Sequence, residues 1–220
     1  MATYTYIPFP EAIINDTVLL STSYPNVIYS NLATWESGAW KGNDRGHFIK
    51  RGGVFSQAPR PLAVVGPTDR LIVSAHGLGG NGEPVNASAI SCWANITGVG
   101  RTRIGIQVTA LAARMKKDGL TKSIADVRLM VCFSGMGDGE QFELQDHELD
   151  VRGSPASETL AANLARALGA LGYSSVVVAG AVGTVSDGSV TVGYDEKLLP
   201  RQRRYSMAAR SFDAQGQRVA

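Results

Sequence analysis

LIVSAHG, residues 71–77, is the stretch from which the fold can be read. Leu71, Ile72 and Val73 form a compact apolar run that follows the turn residues Pro67, Thr68 and Asp69 and stops at Gly77. A short run without polar alternation, bounded by turn signals, predicts a central strand covered on both faces. Two more runs share this character: VRLMV (127–131), which breaks off in Cys132-Phe133-Ser134-Gly135, and YSSVVVA (173–179). Between the first two, Thr102 to Asp118 sets Ile104, Val108, Leu111, Ala112 and Met115 at helical spacing, with Lys116 and Lys117 where cations suit the helix dipole and Gly119 as terminator. Between the second and third, Ser154-Pro155 reads as a helix start, Leu160, Leu164, Leu168 and Leu171 as its apolar stripe, and Gly172 as its end. Strand, helix, strand, helix, strand predicts an α/β domain with a mainly parallel sheet and helices on its faces.

The flanks differ in texture. Within residues 1–60, DTVLLSTSY and NVIYSNL read as short strands around the Tyr24-Pro25-Asn26 turn, and residues 39–61 have the Gly, Pro and charge content of an exposed loop. The expectation is a β-rich N-terminal extension or lid on a core spanning 61–195. GTVSDGSVTVGY predicts a β-hairpin turning at Asp187-Gly188. Residues 196–220 carry six basic side chains against Glu196 and Asp213, so the positive charge is concentrated there although the whole chain is only +2.

With 220 residues, 44% of them hydrophobic, the chain suits a single domain with a core that needs no staples. It has no apolar run of the ~18 residues a membrane span requires, and its start lacks the basic and apolar regions of a secretory signal. The expectation is a soluble, cytoplasmic protein without a membrane partner, although delivery by a specialised secretion system would leave no such mark. Two cysteines without a C-x-x-C pair and only three histidines argue against a disulfide scaffold and a structural metal site.

Chemistry is expected where parallel strands end, because loops and helix N-termini converge there. His76 follows the first run and Cys132 the second, so neighbouring strands would bring imidazole and thiol to one rim. A thiol is mostly protonated at neutral pH, and a nearby imidazole can remove its proton during attack. Gly77 leaves its amide unobstructed, and with the amide of Cys132 it could face the oxyanion of a tetrahedral intermediate. The plainer alternative is a buried structural thiol and a satisfied strand-end histidine. Glycine close behind both residues and a crossover helix between them favour a site.

These residues carry a resemblance. LIVSAHG (71–77) and LMVCFSG (129–135) are similar to the two signatures of the caspase-like cysteine peptidases, the group that includes metacaspases, legumain, clostripain and the self-cleaving domains of bacterial toxins. The resemblance spans roughly residues 62–195 and implies a three-layer fold with helices on both faces and a C-terminal β-hairpin. It implies His76 as general base or acid, Cys132 as nucleophile, the Gly77 and Cys132 amides as oxyanion hole, a protein or peptide substrate, and no required cofactor. Met130 and Ser134 become the candidate substrate-binding positions. Met130 stands where metacaspases keep an acidic residue, so a preference for basic side chains does not carry over. In the toxin domains inositol hexakisphosphate binds a basic surface, which marks Lys197, Arg201, Arg203 and Arg204 as a candidate anionic-activator site. Their alternatives are a solvated strand edge or a nucleic-acid patch, the latter disfavoured because Tyr205 is the one aromatic among them. A catalytically inactive binding module and another thiol hydrolase, a deamidase or acyltransferase, remain the competing functions. The sequence gives no oligomeric state.

Other motifs carry less. Gly77 to Gly82 satisfies G-x-G-x-x-G, but Asn81-Gly82-Glu83-Pro84 continues as loop where a dinucleotide fold needs a helix. HGLGG is similar to a lipase oxyanion loop, yet Met130 and Ser134 stand where the nucleophile elbow needs glycines. Cys92 reads as a packed or loop thiol, and His147 as part of an acidic surface patch with a weak cation site as its alternative.

Overall fold

The computed structural model describes residues 1–20, 25–30, 60–77, 87–96, 100–137, 158–186, 189–194, 197 and 199–219. The strands are β1 (Thr3–Ile7), β2 (Val27–Tyr29), β3 (Arg70–Ser74), β4 (His76–Gly77), β5 (Ala89–Ile96), β6 (Gly100–Gln107), β7 (Asp126–Met130), β8 (Val177–Ala181), β9 (Thr184–Ser186), β10 (Ser189–Tyr194), β11 (Pro200–Arg204), β12 (Ala209–Phe212) and β13 (Arg218–Val219). The helices are α1 (Thr17–Leu20), α2 (Val108–Lys117) and α3 (Leu160–Ala170).

A seven-stranded sheet runs in the order β13-β12-β8-β7-β3-β1-β2. The pairs from β8 through β7, β3 and β1 to β2 are parallel, and β12 and β13 join antiparallel. The protein is therefore a mixed α/β fold on a large, mostly parallel sheet. Register aligns Tyr4 with Leu71, Leu71 with Val127 and Val127 with Val178, and these rows, continued by Tyr6, Val73 and Leu129, form one apolar face. Against it pack Leu111 and Met115 of α2 and Leu164 and Leu168 of α3, all fully buried. At about 1.5–3 kcal/mol for each fully buried large apolar side chain, this layer dominates the stability of the domain.

Both longer helices pack on each other and on this one face. The expectation of helices on both faces is thus not met among the described residues. The opposite face carries the Arg70–Asp126–Arg128 charge ladder and a second apolar cluster of Met130, Ala181, Val190, Val192 and Tyr205 beneath the small sheet β11-β10-β9.

The N-terminal segment meets expectation at β2, within NVIYSNL, and differs before it. β1 lies between β3 and β2, so the first strands continue the main sheet beyond β3. The apolar letters of DTVLLSTSY form the short helix α1 instead of a strand, as far as Leu20, after which residues 21–24 lie outside the described ones. The supposed lid, 39–61, lies almost wholly outside them as well. Asp118 locks this segment in place: its Oδ2 accepts from Tyr6 Oη at 2.7 Å and from Ser30 Oγ at 2.9 Å, while Arg114 Nη1 donates to the same serine at 3.1 Å.

The helix expected over 102–118 begins only at Val108. Ile104 and Ile106 alternate inward while Arg101, Arg103, Gly105 and Gln107 point out, and pairing with β5 along the whole of β6 outweighs the helical spacing. Lys116, Lys117 and Gly119, at φ +95°, end α2 as the sequence suggests. The last helix is capped by Thr159, whose hydroxyl accepts from the Ala162 amide at 3.0 Å; the Ser154-Pro155 start lies outside the described residues. β9 and β10 pair antiparallel with Ser186 opposite Ser189. No helix among the described residues is long and apolar enough to cross a membrane.

Candidate functional site

β3 does not end in His76. After Ala75 the chain switches sheets, and His76 and Gly77 form β4, which pairs antiparallel with β5 through His76–Ser91 and Gly77–Ile90. The polar groups of β5 alternate in direction, and those of Trp93 are turned toward the β4 side, its amide donating to Asp16 Oδ2 at 3.2 Å and its carbonyl accepting from the Asn15 amide at 2.8 Å. By the same alternation Ser91 faces β4, so His76–Ser91 is the hydrogen-bonded pair and the Gly77 N–H points away from β5.

The second motif ends in a tight turn. Phe133 adopts the left-handed region at φ +60°, an uncommon conformation for a bulky residue and a sign of imposed backbone strain. The turn is nailed down on every side. Phe133 N–H donates to Gly183 O at 2.9 Å, Gly135 N–H to Ala181 O at 2.8 Å, and Met136 N–H to Phe133 O at 3.0 Å. Ser134 Oγ accepts from the Ala181 amide at 3.0 Å and donates to Leu129 O at 3.3 Å, and buried Arg210 donates to Gly135 O at 3.2 Å. Two glycines permit the close approach, since a Cβ on Gly135 would lie 2.2 Å from Gly180 O and one on Gly180 2.6 Å from the Ser134 carbonyl carbon.

The two motifs meet at backbone level. A Cβ on Gly77 would stand 2.8 Å from Cys132 O, so only glycine lets β4 lie against the cysteine turn. His76 is one residue away. Its Nε2 bonds Asp16 Oδ2 at 2.7 Å, and Asp16 is almost fully buried, its other oxygen accepting from the Leu19 amide at 3.3 Å as the cap of α1. Burial pushes the Asp16 carboxyl up, but the bonds from His76 and from the Trp93 amide outweigh it and hold the group below the usual carboxylate range. Asp16 is then an acceptor only, so Nε2 carries the proton and the free lone pair of neutral His76 sits on Nδ1.

Cys132 is half-buried and unpaired with any other cysteine. Its sulfur accepts from the Val185 amide at 3.4 Å, and among the described residues no hydrogen bond joins it to His76. Burial pushes the thiol up, only partly countered by the Val185 amide and its own amide. The resting thiol is therefore protonated at neutral pH, not a preformed thiolate–imidazolium pair.

Met130 and Ser134 flank Cys132, while the arginine candidates lie on the small sheet. Ser134 is buried with its hydroxyl engaged twice, and Met130 sits inside the second apolar cluster, so neither side chain presents a surface to a substrate; the turn and the sheet core have claimed them. Arg201, Arg203 and Arg204 lie on β11, an edge strand separated by β10 from β9, the strand whose Val185 touches the thiol; Lys197 precedes it, exposed. Arg210 and Arg218 belong to the main sheet. Cys92 is fully buried in the core. His147, the G-x-G-x-x-G loop beyond Gly77 and the hairpin turn Asp187-Gly188 lie outside the described residues. Among the described residues no group of His, Cys, Asp and Glu could hold a metal ion.

Sequence reasoning missed Asp16. Its signal was present, an Asp one residue ahead of the apolar run Val18-Leu19-Leu20, with Thr17 between, which is the pattern of a helix cap. Comparison with protein-family profiles, with curated proteins and with solved structures finds no match to this chain.

Proposed function

We propose that the protein is a cysteine hydrolase of the caspase-like kind, acting on peptide bonds, with Cys132 as nucleophile and His76 as its general base. The observation that carries the reading is the bond of part-buried His76 to buried Asp16, with the neighbouring Gly77 of the same strand abutting the carbonyl of Cys132. His76 Nδ1 takes the thiol proton as the sulfur attacks the peptide carbonyl carbon, and the carbonyl oxygen becomes an oxyanion facing the amides of Gly77 and Cys132. The imidazolium, steadied by Asp16, passes its proton to the leaving nitrogen as the C–N bond breaks. Water, deprotonated by the same imidazole, then hydrolyses the thioester. Asp16 turns the dyad read from sequence into a triad by role. An anionic activator on the β11 arginines and self-processing belong to the same proposal and rest on the resemblance alone.

The raised thiol and its lack of a bond to His76 favour a second reading, an inactive caspase-like binding module. One experiment separates them: incubation with a random peptide pool and mass-spectrometric detection of cleavage, for wild type, Cys132→Ala and His76→Ala. Cleavage abolished by either substitution is the expected result. A wild type that cuts nothing favours the module, and cleavage that survives Cys132→Ala removes Cys132 as the nucleophile. Iodoacetamide labelling of Cys132 should be slower at pH 7 than that of an ordinary thiol and accelerate through pH 9, because the thiol gives up its proton late.

A further inference from the structure

Gly77 poses a physical problem for the proposed site. Its lack of a Cβ is required by the Cys132 carbonyl, yet glycine is the residue least able to hold its own backbone direction, and its N–H must stay aimed for an oxyanion to use it. The orientation of that N–H is set by the peptide plane it shares with the His76 carbonyl and by the Gly77 carbonyl on its other side. Both carbonyls are held by one assembly. Arg103, reaching from β6 across the face of β5, donates from Nη2 to Gly77 O and from Nε to Ser91 Oγ at 2.9 Å. Ser91 Oγ leans in turn on His76 O at 3.4 Å. Register makes this reach natural, since Trp93 lies opposite Arg103 and Ser91 opposite His76 on the same face.

We propose that Arg103 is a positioning residue of the oxyanion hole, clasping through itself and Ser91 the two carbonyls that bracket the Gly77 N–H. The clasp uses the side-on edge of the guanidinium, a rigid fork that fixes two acceptors at once, which an ammonium cannot reproduce. It touches no reacting atom, and its effect falls on the step in which negative charge develops on the substrate oxygen. The proposal rests on the nucleophile reading of Cys132. Arg103 is exposed and outside both apolar clusters, so its replacement should not prevent folding.

The experiment compares wild type, Arg103→Ala, Arg103→Lys and Ser91→Ala in two reactions at Cys132. A pooled library of N-acetyl tripeptide aldehydes carrying every proteinogenic terminal side chain forms a reversible tetrahedral adduct that places an oxygen in the hole. Iodoacetamide alkylates the same sulfur without forming an oxyanion. We expect Arg103→Ala to weaken aldehyde binding about tenfold, a fraction of what losing a whole donor costs, and to lower kcat on any substrate found while leaving KM within about twofold. Alkylation and melting temperature stay at the wild-type level. Arg103→Lys should recover less than half of the lost affinity, and Ser91→Ala should lose less than Arg103→Ala. Equal aldehyde binding by wild type and Arg103→Ala overturns the positioning role alone. A parallel loss of alkylation and of thermal stability overturns it in favour of a structural role. A wild type that forms no adduct while its Cys132 still alkylates removes the nucleophile reading, and the clasp falls with it.

Discussion

Asp16 does two jobs with its two carboxylate oxygens: Oδ1 caps α1 through the Leu19 amide and Oδ2 fixes His76. Replacing it by Asn keeps the size and one acceptor but offers a second rotamer in which an amide N–H₂ faces Nε2 and forces the opposite tautomer. Asp16→Asn should therefore reduce peptide cleavage roughly a hundredfold or more with little change in KM, measured by single-substrate kinetics. The same residue predicts a pH signature. Because the folded carboxyl sits below its unfolded value, its contribution to stability is complete above about pH 4 and is lost as pH falls through the lower folded value. Urea unfolding at steps from pH 7 to pH 2.5 should show wild type ahead of Asp16→Asn at neutral pH and the gap closing in acid. A constant gap would mean that Asp16 acts by shape alone. Cys132 gives the complementary lesson, since burial raises its thiol, so any activation has to come from His76 during reaction and not from a resting ion pair.

At the scale of elements, the site is built where one sheet hands over to another. β3 ends at Ser74, β4 departs to pair with β5, and β7 ends in the strained turn around Phe133. Parallel strands ending side by side bring these points together, and the missing side chains of Gly77, Gly135 and Gly180 let the three backbones touch. Gly180→Ala tests this contact. Its Cβ would meet the Ser134 carbonyl, which is backbone and can move only by shifting the turn, so the substitution should destabilise the fold by about 2 kcal/mol or more and displace Cys132. Urea denaturation gives the first quantity and alkylation rates the second. Wild-type values for both would show that the turn has slack the structure does not suggest. The small sheet β4-β5-β6 was hidden in the sequence for a related reason: Ile104, Val108, Leu111 and Met115 satisfy helical spacing, while Ile104 and Ile106 equally satisfy strand alternation, and only the partner β5 decides.

At the scale of the whole molecule, the N-terminal residues are structural members. Tyr6 on β1, Ser30 after β2, and Arg114 and Asp118 at the end of α2 share one buried polar network, and burial together with the Asp118 charge raises the Tyr6 phenol well above its usual value. Asp118→Ala would leave the Tyr6 and Ser30 hydroxyls without this acceptor and should cost about 2–4 kcal/mol. Loss of Asp16–His76 coupling with it, read as a fall in activity at urea concentrations far below the unfolding midpoint, would show that the segment's attachment supports the site. The sequence by itself determined the three central strands, the C-terminal ends of both longer helices and the placement of Cys132 just past a strand end, because apolar runs, dipole-matched charges and glycine terminators act locally and leave their mark in consecutive residues. Only the tertiary structure decided that β1 joins the sheet beside β3, that both longer helices share one face, that Asp16 meets His76 and that Arg103 reaches Gly77. Those contacts link residues far apart in the chain, and their free energy comes from hydrogen bonds and packing that exist once the sheet has closed around them, so no window of sequence could carry them.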